Sequence, residues 1–390
     1  MKLDEFLATK PLFYKEIDYT RMPRAYESIK SYFKPFKIVH IIGTNGKGST
    51  GRFLAQILHL NGKSVGHYTS PHIFDFRERF WLNGADVSDE LLNKAHERLY
   101  SLLSDEFRIK TSYFEYATLL SAVLFSQCDY FICEAGMGGE YDATNVFDKL
   151  LTLFTPIGFD HTAVLGDSLE KISKTKFRAM AKRAVLNDEM SEICVKIADE
   201  IALKNGSRLN FVREILSSDD KIEINKYAKK QQLPAFLISN FSLAYSGAKI
   251  LLDEFSIKNL GGLNLRGRCE KISENLYVDV GHNELGAIKI AEIFKGKKLN
   301  LIFNTFADKD YKAVLIALKP ILNKVLIFDY ESSERELAKD GLKAVLNELG
   351  VSYENFTTAH FNAIKSQKEL YLAFGSFYLV EAFLRAYNKR

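Results

Sequence analysis

Short apolar runs alternate along the chain with stretches whose apolar residues recur every three or four positions. The runs are FKIVHII (36–42), KSVGHYTS (63–70), DYFICEAG (129–136) and LLTLFTPIG (150–158). A strand-like period giving way repeatedly to a helical one predicts a parallel sheet covered by helices. After the first run, Phe53, Leu54, Ile57 and Leu58 fall at helical spacing, with Gly62 as a stop. Residues 190–235 are more polar and read as a peripheral excursion. The glycines of IKNLGGLNLRGR (257–268) mark a connection, after which the alternation restarts with NLYVDVG, LNLIFNTF and KVLIFDY. The expected fold is α/β throughout: a mainly parallel-sheet domain over 1–262 and a smaller Rossmann-like domain over 263–390.

Composition narrows the partners rather than the fold. A net charge of +4 over 390 residues is small, and no concentrated basic patch argues for nucleic acid. No apolar run approaches the roughly 20 residues of a membrane span, so no membrane partner is expected. The first residues, MKLDEFLATKPLFYKEID, carry acids and no apolar export segment. Cys128, Cys133, Cys194 and Cys269 have neither metal-like nor disulfide-like spacing. Cys133, inside an apolar run, reads as a core residue. The cytoplasm is the expected location.

The candidate chemistry begins with HIIGTNGKGST (40–50), which joins a strand to a helix. The ordinary phosphate loop is G-x-x-x-x-G-K-[ST], but here two residues separate Gly43 from Gly46, and Gly48 follows Lys47. Backbone N–H groups of Gly46 to Ser49 would meet phosphate oxygens at a helix N-terminus, where the dipole favours an anion. Lys47 would serve the β- and γ-phosphates, and Ser49 or Thr50 a Mg²⁺ ion. A plain glycine-rich turn is the alternative, disfavoured by the lysine and both hydroxyls. The expected class is thus a P-loop-type sheet domain.

Ser70, Glu134 and His161 follow three further runs, at the carboxyl ends of strands where ligands bind in open parallel sheets. A hydroxyl, a carboxylate and an imidazole suit Mg²⁺ or Mn²⁺. Singly they read as a turn former, a turn acceptor and a capping residue. Lys174, Lys176 and Arg178 of KTKFRAM read as a solvated basic face. In the second domain, Arg268 precedes a strand that ends at Asp279, followed by His282 and Asn283. The carboxylate suits a ribose and the arginine phosphates, although DVGHN could equally be a capped helix start.

HIIGTNGKGST, TSPH, FRERFWLNG, SYFEYATL, EAGMGGEYDATN, DHTAVLG and DVGHN occur in that order. Together they resemble folylpolyglutamate synthases and bacterial bifunctional dihydrofolate synthase/folylpolyglutamate synthases, ATP-dependent amide-forming ligases of the Mur ligase superfamily. The resemblance implies ATP phosphates on Gly46, Lys47, Gly48 and Ser49, and adenine and ribose contacts from Asn240, Arg268 and Asp279. It implies metal on Ser49, Ser70, Glu134 and His161, with two metal sites, and a carbamylated Lys176, against the basic-face reading. Lys47, Lys176 and His161 would be catalytic. Ser112, Tyr113, Phe114 and Glu115 would contact a pterin, and His282 would bind substrate in a second domain that closes over ATP and binds glutamate. The implied substrates are dihydropteroate, reduced folates and L-glutamate, and the implied state is a monomer. The chain departs from the family pattern at Glu140, where arginine is usual, and in Thr175-Lys176-Phe177-Arg178-Ala179, where E-K-A-G-I is usual. It also departs at DVGHNE, without the usual proline, and at Arg266. A Mur-type peptide ligase, a P-loop NTPase switch or kinase, and a nucleotide-binding module without catalysis are the rival readings.

Overall fold

The computed structural model describes residues 2–11, 18–332, 335–366 and 368–389. It divides into two units, Met1–Asn264 and Leu265–Arg390. The first is built on eight strands: β1 Lys37–Ile42, β2 Val65–Tyr68, β3 Phe80–Leu82, β4 Ala85–Asp86, β5 Tyr130–Glu134, β6 Lys149–Phe154, β7 Arg183–Leu186 and β8 Arg208–Phe211. Their order is β4-β3-β2-β5-β1-β6-β7-β8. From β2 to β8 every neighbouring pair is parallel; the pairs β2–β3 and β3–β4 are antiparallel, so β3 alone runs against the rest. The parallel sheet expected from the alternating runs is therefore present. It puts the carboxyl ends of β1, β2, β5 and β6 along one edge.

The sheet is covered on both faces, which is why its strands read as continuous apolar runs. In β1, Ile38 joins one core with Tyr68, Phe80, Tyr116 and Phe131. Val39 and Ile41 face the other, with Phe53, Leu54, Ile57 and Phe241. The helix Tyr113–Phe125 contributes to the first core, and the helices Lys47–Leu60 and Ala235–Leu251 to the second. Phe53 and Phe241 meet edge to face at 5.0 Å, both fully buried. Each such ring contributes on the order of 2–3 kcal/mol by leaving water. These contacts hold the helix that starts in the glycine loop.

Residues 190–235 correct the sequence reading. The helix Glu192–Asn205 crosses over to β8, which pairs with β7 and extends the sheet. The helix Ser218–Gln231 then buries Ile224 and Tyr227 in the second core. Its polar residues are the solvent face of an amphipathic helix, and that face dominated the composition.

The second unit carries a six-stranded sheet: β9 Glu270–Lys271, β10 Leu276–Asp279, β11 Leu299–Phe303, β12 Leu322–Ile327, β13 Tyr353–Asn355 and β14 Leu370–Phe374, in the order β13-β12-β11-β14-β10-β9. All neighbours are parallel except β9 with β10. Leu301, Phe303, Val325, Ile327, Leu372 and Phe374 form its own core. Among the described residues no helix is long and apolar enough to cross a membrane.

Candidate active site

The glycine loop leaves β1 and enters the helix Lys47–Leu60 through Gly46, whose φ of 88° is left-handed. An L side chain there would be strained and would also collide with Asn240 Oδ1. The loop is held from below: Thr44 N donates to Pro156 O at 3.0 Å, and Gly158 N donates to Thr44 Oγ1 at 3.0 Å. The segment after β6 is thus tied to the segment after β1.

Two lysines converge on this loop. Lys47 Nζ donates to Thr44 O at 3.0 Å and lies 3.4 Å from Gly43 O. Lys176 Nζ donates to the same Gly43 carbonyl at 2.8 Å. Lys176 is 5% exposed, whereas Lys174 and Arg178 are exposed, so the basic-face reading fails for the middle residue alone. Burial, and next the charge of Lys47, lower its amine from 10.5 to about 7; Asp160 and Asp142 oppose the shift. An amine at about 7 is substantially neutral at neutral pH, so its lone pair is available.

Glu134 ends β5 and is buried. Its Oε2 accepts a short hydrogen bond from the Thr69 hydroxyl and another from Ser70 N at 3.3 Å. Both residues follow β2, the parallel neighbour of β5. Thr69 is the residue that the sequence reading passed over. Its signal was the hydroxyl beside Ser70 in YTSPH. Asp142 is buried in the turn that follows, where Met137 N donates to it at 2.7 Å and Thr144 N at 3.0 Å. Burial raises its carboxyl above the ordinary range. His161 stands exposed after β6, in left-handed backbone at φ 50°, with Nε2 3.8 Å from Asp160.

Three polar atoms at the loop have no partner among the described residues: Ser49 Oγ, Thr50 Oγ1 and Asn240 Nδ2 are buried and make no hydrogen bond. Buried polar groups in native proteins nearly always have partners, so such orphans point to a ligand. Two hydroxyls at the start of the loop helix and an amide against Gly46 fit a phosphate with its divalent cation. No group of three or more His, Cys, Asp or Glu among the described residues is arranged to hold a metal. A site on Ser49, Ser70, Glu134 and His161 would therefore use mixed hydroxyl, carboxylate and imidazole donors, and phosphate oxygens.

The SYFE segment starts a helix. Ser112 caps the helix Tyr113–Phe125 and closes a capping box with Glu115. Glu115 also forms a buried ion pair with Arg21 at 3.0 Å, so its oxygens are already engaged. Phe114 lies against Gly136, where a Cβ would meet its ring, and the Arg79 guanidinium lies over the Tyr113 ring at 5.3 Å. Of the four, Phe114 reaches the turn after Glu134.

In the second unit Asp279 ends β10, is buried, and accepts from Gly281 N at 2.7 Å and Cys269 N at 2.8 Å. Burial raises its carboxyl above the ordinary range. Arg268 lies over the Phe377 ring at 5.3 Å, and His282 Nδ1 is 3.1 Å from Val280 O. Asn283 caps the helix Glu284–Ile293. The helix-start reading of DVGHN thus holds for Asn283.

A glycine loop between strand and helix, two lysines on one loop carbonyl and a buried carboxylate on the next strand define a phosphate-handling α/β unit. No family model matches the chain. It is 30% identical over 392 residues to the dihydrofolate synthase/folylpolyglutamate synthase of Buchnera aphidicola subsp. Schizaphis graminum, covering 93% of this chain and 90% of that protein. The structure of Helicobacter pylori folylpolyglutamate synthetase superposes with a TM-score of 0.79 at 39% identity, over 100% of this chain and 98% of the other. The bifunctional folylpolyglutamate synthase/dihydrofolate synthase of Yersinia pestis, complexed with AMPPNP and Mn ion, gives 0.82 at 25% identity over the same shares. The chain belongs to the dihydrofolate synthase/folylpolyglutamate synthase family.

Proposed function

We propose that this chain is an ATP-dependent ligase that joins L-glutamate to the carboxylate of dihydropteroate and of reduced folates. The observation that carries the reading is the pair of lysines on Gly43, together with a buried Glu134 at the end of the strand next to β1 and an unpartnered Ser49 hydroxyl in the loop helix. A carboxylate is a poor acyl donor because its oxygen does not leave. Its attack on the γ-phosphorus of ATP gives an acyl phosphate and ADP; the amine of glutamate then attacks the acyl carbon, and phosphate departs.

Backbone N–H groups of Gly46, Gly48 and Ser49 hold phosphate oxygens, and Asn240 contacts the nucleotide beside Gly46. Lys47 offsets the charge that accumulates as three anionic groups meet. Ser49, Ser70, Glu134 and His161 are the residues that would hold divalent metal, Mg²⁺ in two sites, with Thr69 orienting Glu134. Such ions supply Lewis-acid polarisation and charge neutralisation when bound. Lys176 is assigned to carbamylation: its neutral amine adds to CO₂, forms an N–C bond and releases one proton, leaving an anion beside the loop. Phe114 is assigned to the pterin, Arg268 and Asp279 to the nucleotide, and His282 to glutamate.

The test is phosphate release from the full chain with ATP, Mg²⁺ and L-glutamate, comparing dihydropteroate, tetrahydrofolate and no pterin. Glutamate-dependent release with both pterins is expected. Release that ignores glutamate and pterin would replace this reading with an NTPase.

A further inference from the structure

The turn that follows Glu134 is fastened to the helix end that carries Lys176, residue by residue. At Gly139 a Cβ would lie 2.7 Å from Lys176 O and 2.8 Å from Lys176 Cα, so turn and helix backbone touch. Glu140 N donates to Thr175 O at 2.8 Å, satisfying a carbonyl that the helix Leu169–Phe177 leaves open in its last turn. Arg178 then donates to Glu140 Oε2 at 2.9 Å. Glu140 thereby grips the chain on both sides of Lys176. It is itself held from behind, where Asn145 Nδ2 donates to its carbonyl at 2.8 Å.

We propose that the Glu140–Arg178 ion pair is a positioning device for Lys176: it locks the turn after Glu134 to the helix end and so fixes where Lys176 Nζ meets the Gly43 carbonyl. The proposal rests on the ligase reading above. Neither Glu140 nor Arg178 touches the reacting atoms; both act through Lys176.

The pair borders an open groove of about 480 Å³ shared with Lys174, Glu200 and Lys204, and the Arg178 side chain is 54% exposed. An exposed pair contributes little to global stability. Its effect therefore belongs in turnover and in the state of Lys176, whereas a merely structural pair would show only in unfolding.

The experiment compares the full-length chain with Glu140→Gln, Arg178→Gln, the Gln/Gln double and the exchanged Glu140→Arg/Arg178→Glu. Glutamate-dependent phosphate release gives kcat and the KM for ATP. The ¹³C signal of a lysine carbamate in ¹³C-bicarbonate gives the state of Lys176. Each single variant is expected to lose about tenfold in kcat, less than the roughly hundredfold that a 1 Å misplacement of a reacting group can cost. The KM for ATP and the thermal midpoint should hold, and the carbamate signal should fall. The Gln/Gln double should be no worse than either single, the signature of coupled sites, and the exchanged pair should recover most of the turnover. Singles with unchanged kcat, or losses that add in the double, would overturn the positioning role. A parent chain with no pterin-dependent release would instead overturn the ligase reading. A parent chain that turns over without a carbamate signal would remove the carbamylation and leave the kcat coupling to judge the pair.

Discussion

Lys176→Met removes the buried amine that the proposed carbamylation depends on. In the native state burial and Lys47 hold the amine at about 7, against 10.5 when exposed. At 1.36 kcal/mol per pH unit, keeping it protonated inside the fold costs about 5 kcal/mol. The sign follows from proton counting. Between about 7 and 10.5 the unfolded chain holds a proton that the native chain has released, so raising the pH favours the native state. Below about 7 both states are protonated, and the full penalty is present. The wild type should therefore gain about 1.4 kcal/mol per pH unit over Lys176→Met across pH 7.5–9.5, and the difference should flatten below pH 6. Trp81, the chain's one tryptophan, is buried in the same unit, so urea unfolding followed by its fluorescence reports this unit. Bicarbonate-free buffer keeps the amine unmodified. Parallel stability curves for the two proteins across pH 6–9.5 would refute the argument, because they would mean that Lys176 keeps its proton.

Two further substitutions separate chemistry from scaffolding. Thr69→Val removes the hydroxyl that donates to Glu134 Oε2. A hydrogen bond to a charged group is worth about 2 kcal/mol, so kcat/KM should fall by up to about thirtyfold and the thermal midpoint by a few degrees; wild-type kcat/KM would show that Thr69 does not orient Glu134. Glu115→Ala leaves Arg21 buried without its partner. A loss of about 3–5 kcal/mol in urea unfolding is expected, with kcat of the folded fraction near wild type. A large rise in the KM for pterin at unchanged stability would instead make Glu115 a substrate contact.

The fold was legible because it rests on period. The runs at 36–42, 129–136 and 150–158 became β1, β5 and β6, buried on both faces, and a doubly covered parallel strand announces itself as a continuous apolar run. The same criterion misread 190–235. β8 lies at the sheet edge and is only four residues long, Arg208–Phe211, with no fully buried position. An edge strand with one neighbour has little apolar surface to display, and the polar helices around it outweighed it.

Side-chain chemistry was legible only where backbone geometry dictates residue type. Gly46 has to be glycine because its backbone is left-handed and Asn240 fills the space where a side chain would be. Lys176 is the opposite case. It lies between Lys174 and Arg178 in a run that reads as a solvated face, yet Gly139, 37 positions earlier in the chain, packs on its backbone and its amine reaches the Gly43 carbonyl. Periodicity within the helix could have separated it, since Ile172, Lys176 and Phe177 share one buried stripe while Lys174 and Arg178 point outward. A lysine on an apolar stripe is a contradiction that period alone resolves as noise. Only the fold shows that its charge faces a second ammonium, that of Lys47, with Asp160 and Asp142 as partial counterweights. The property that makes the residue useful, an amine that gives up its proton near neutrality, is made by those tertiary neighbours and is written at no single position.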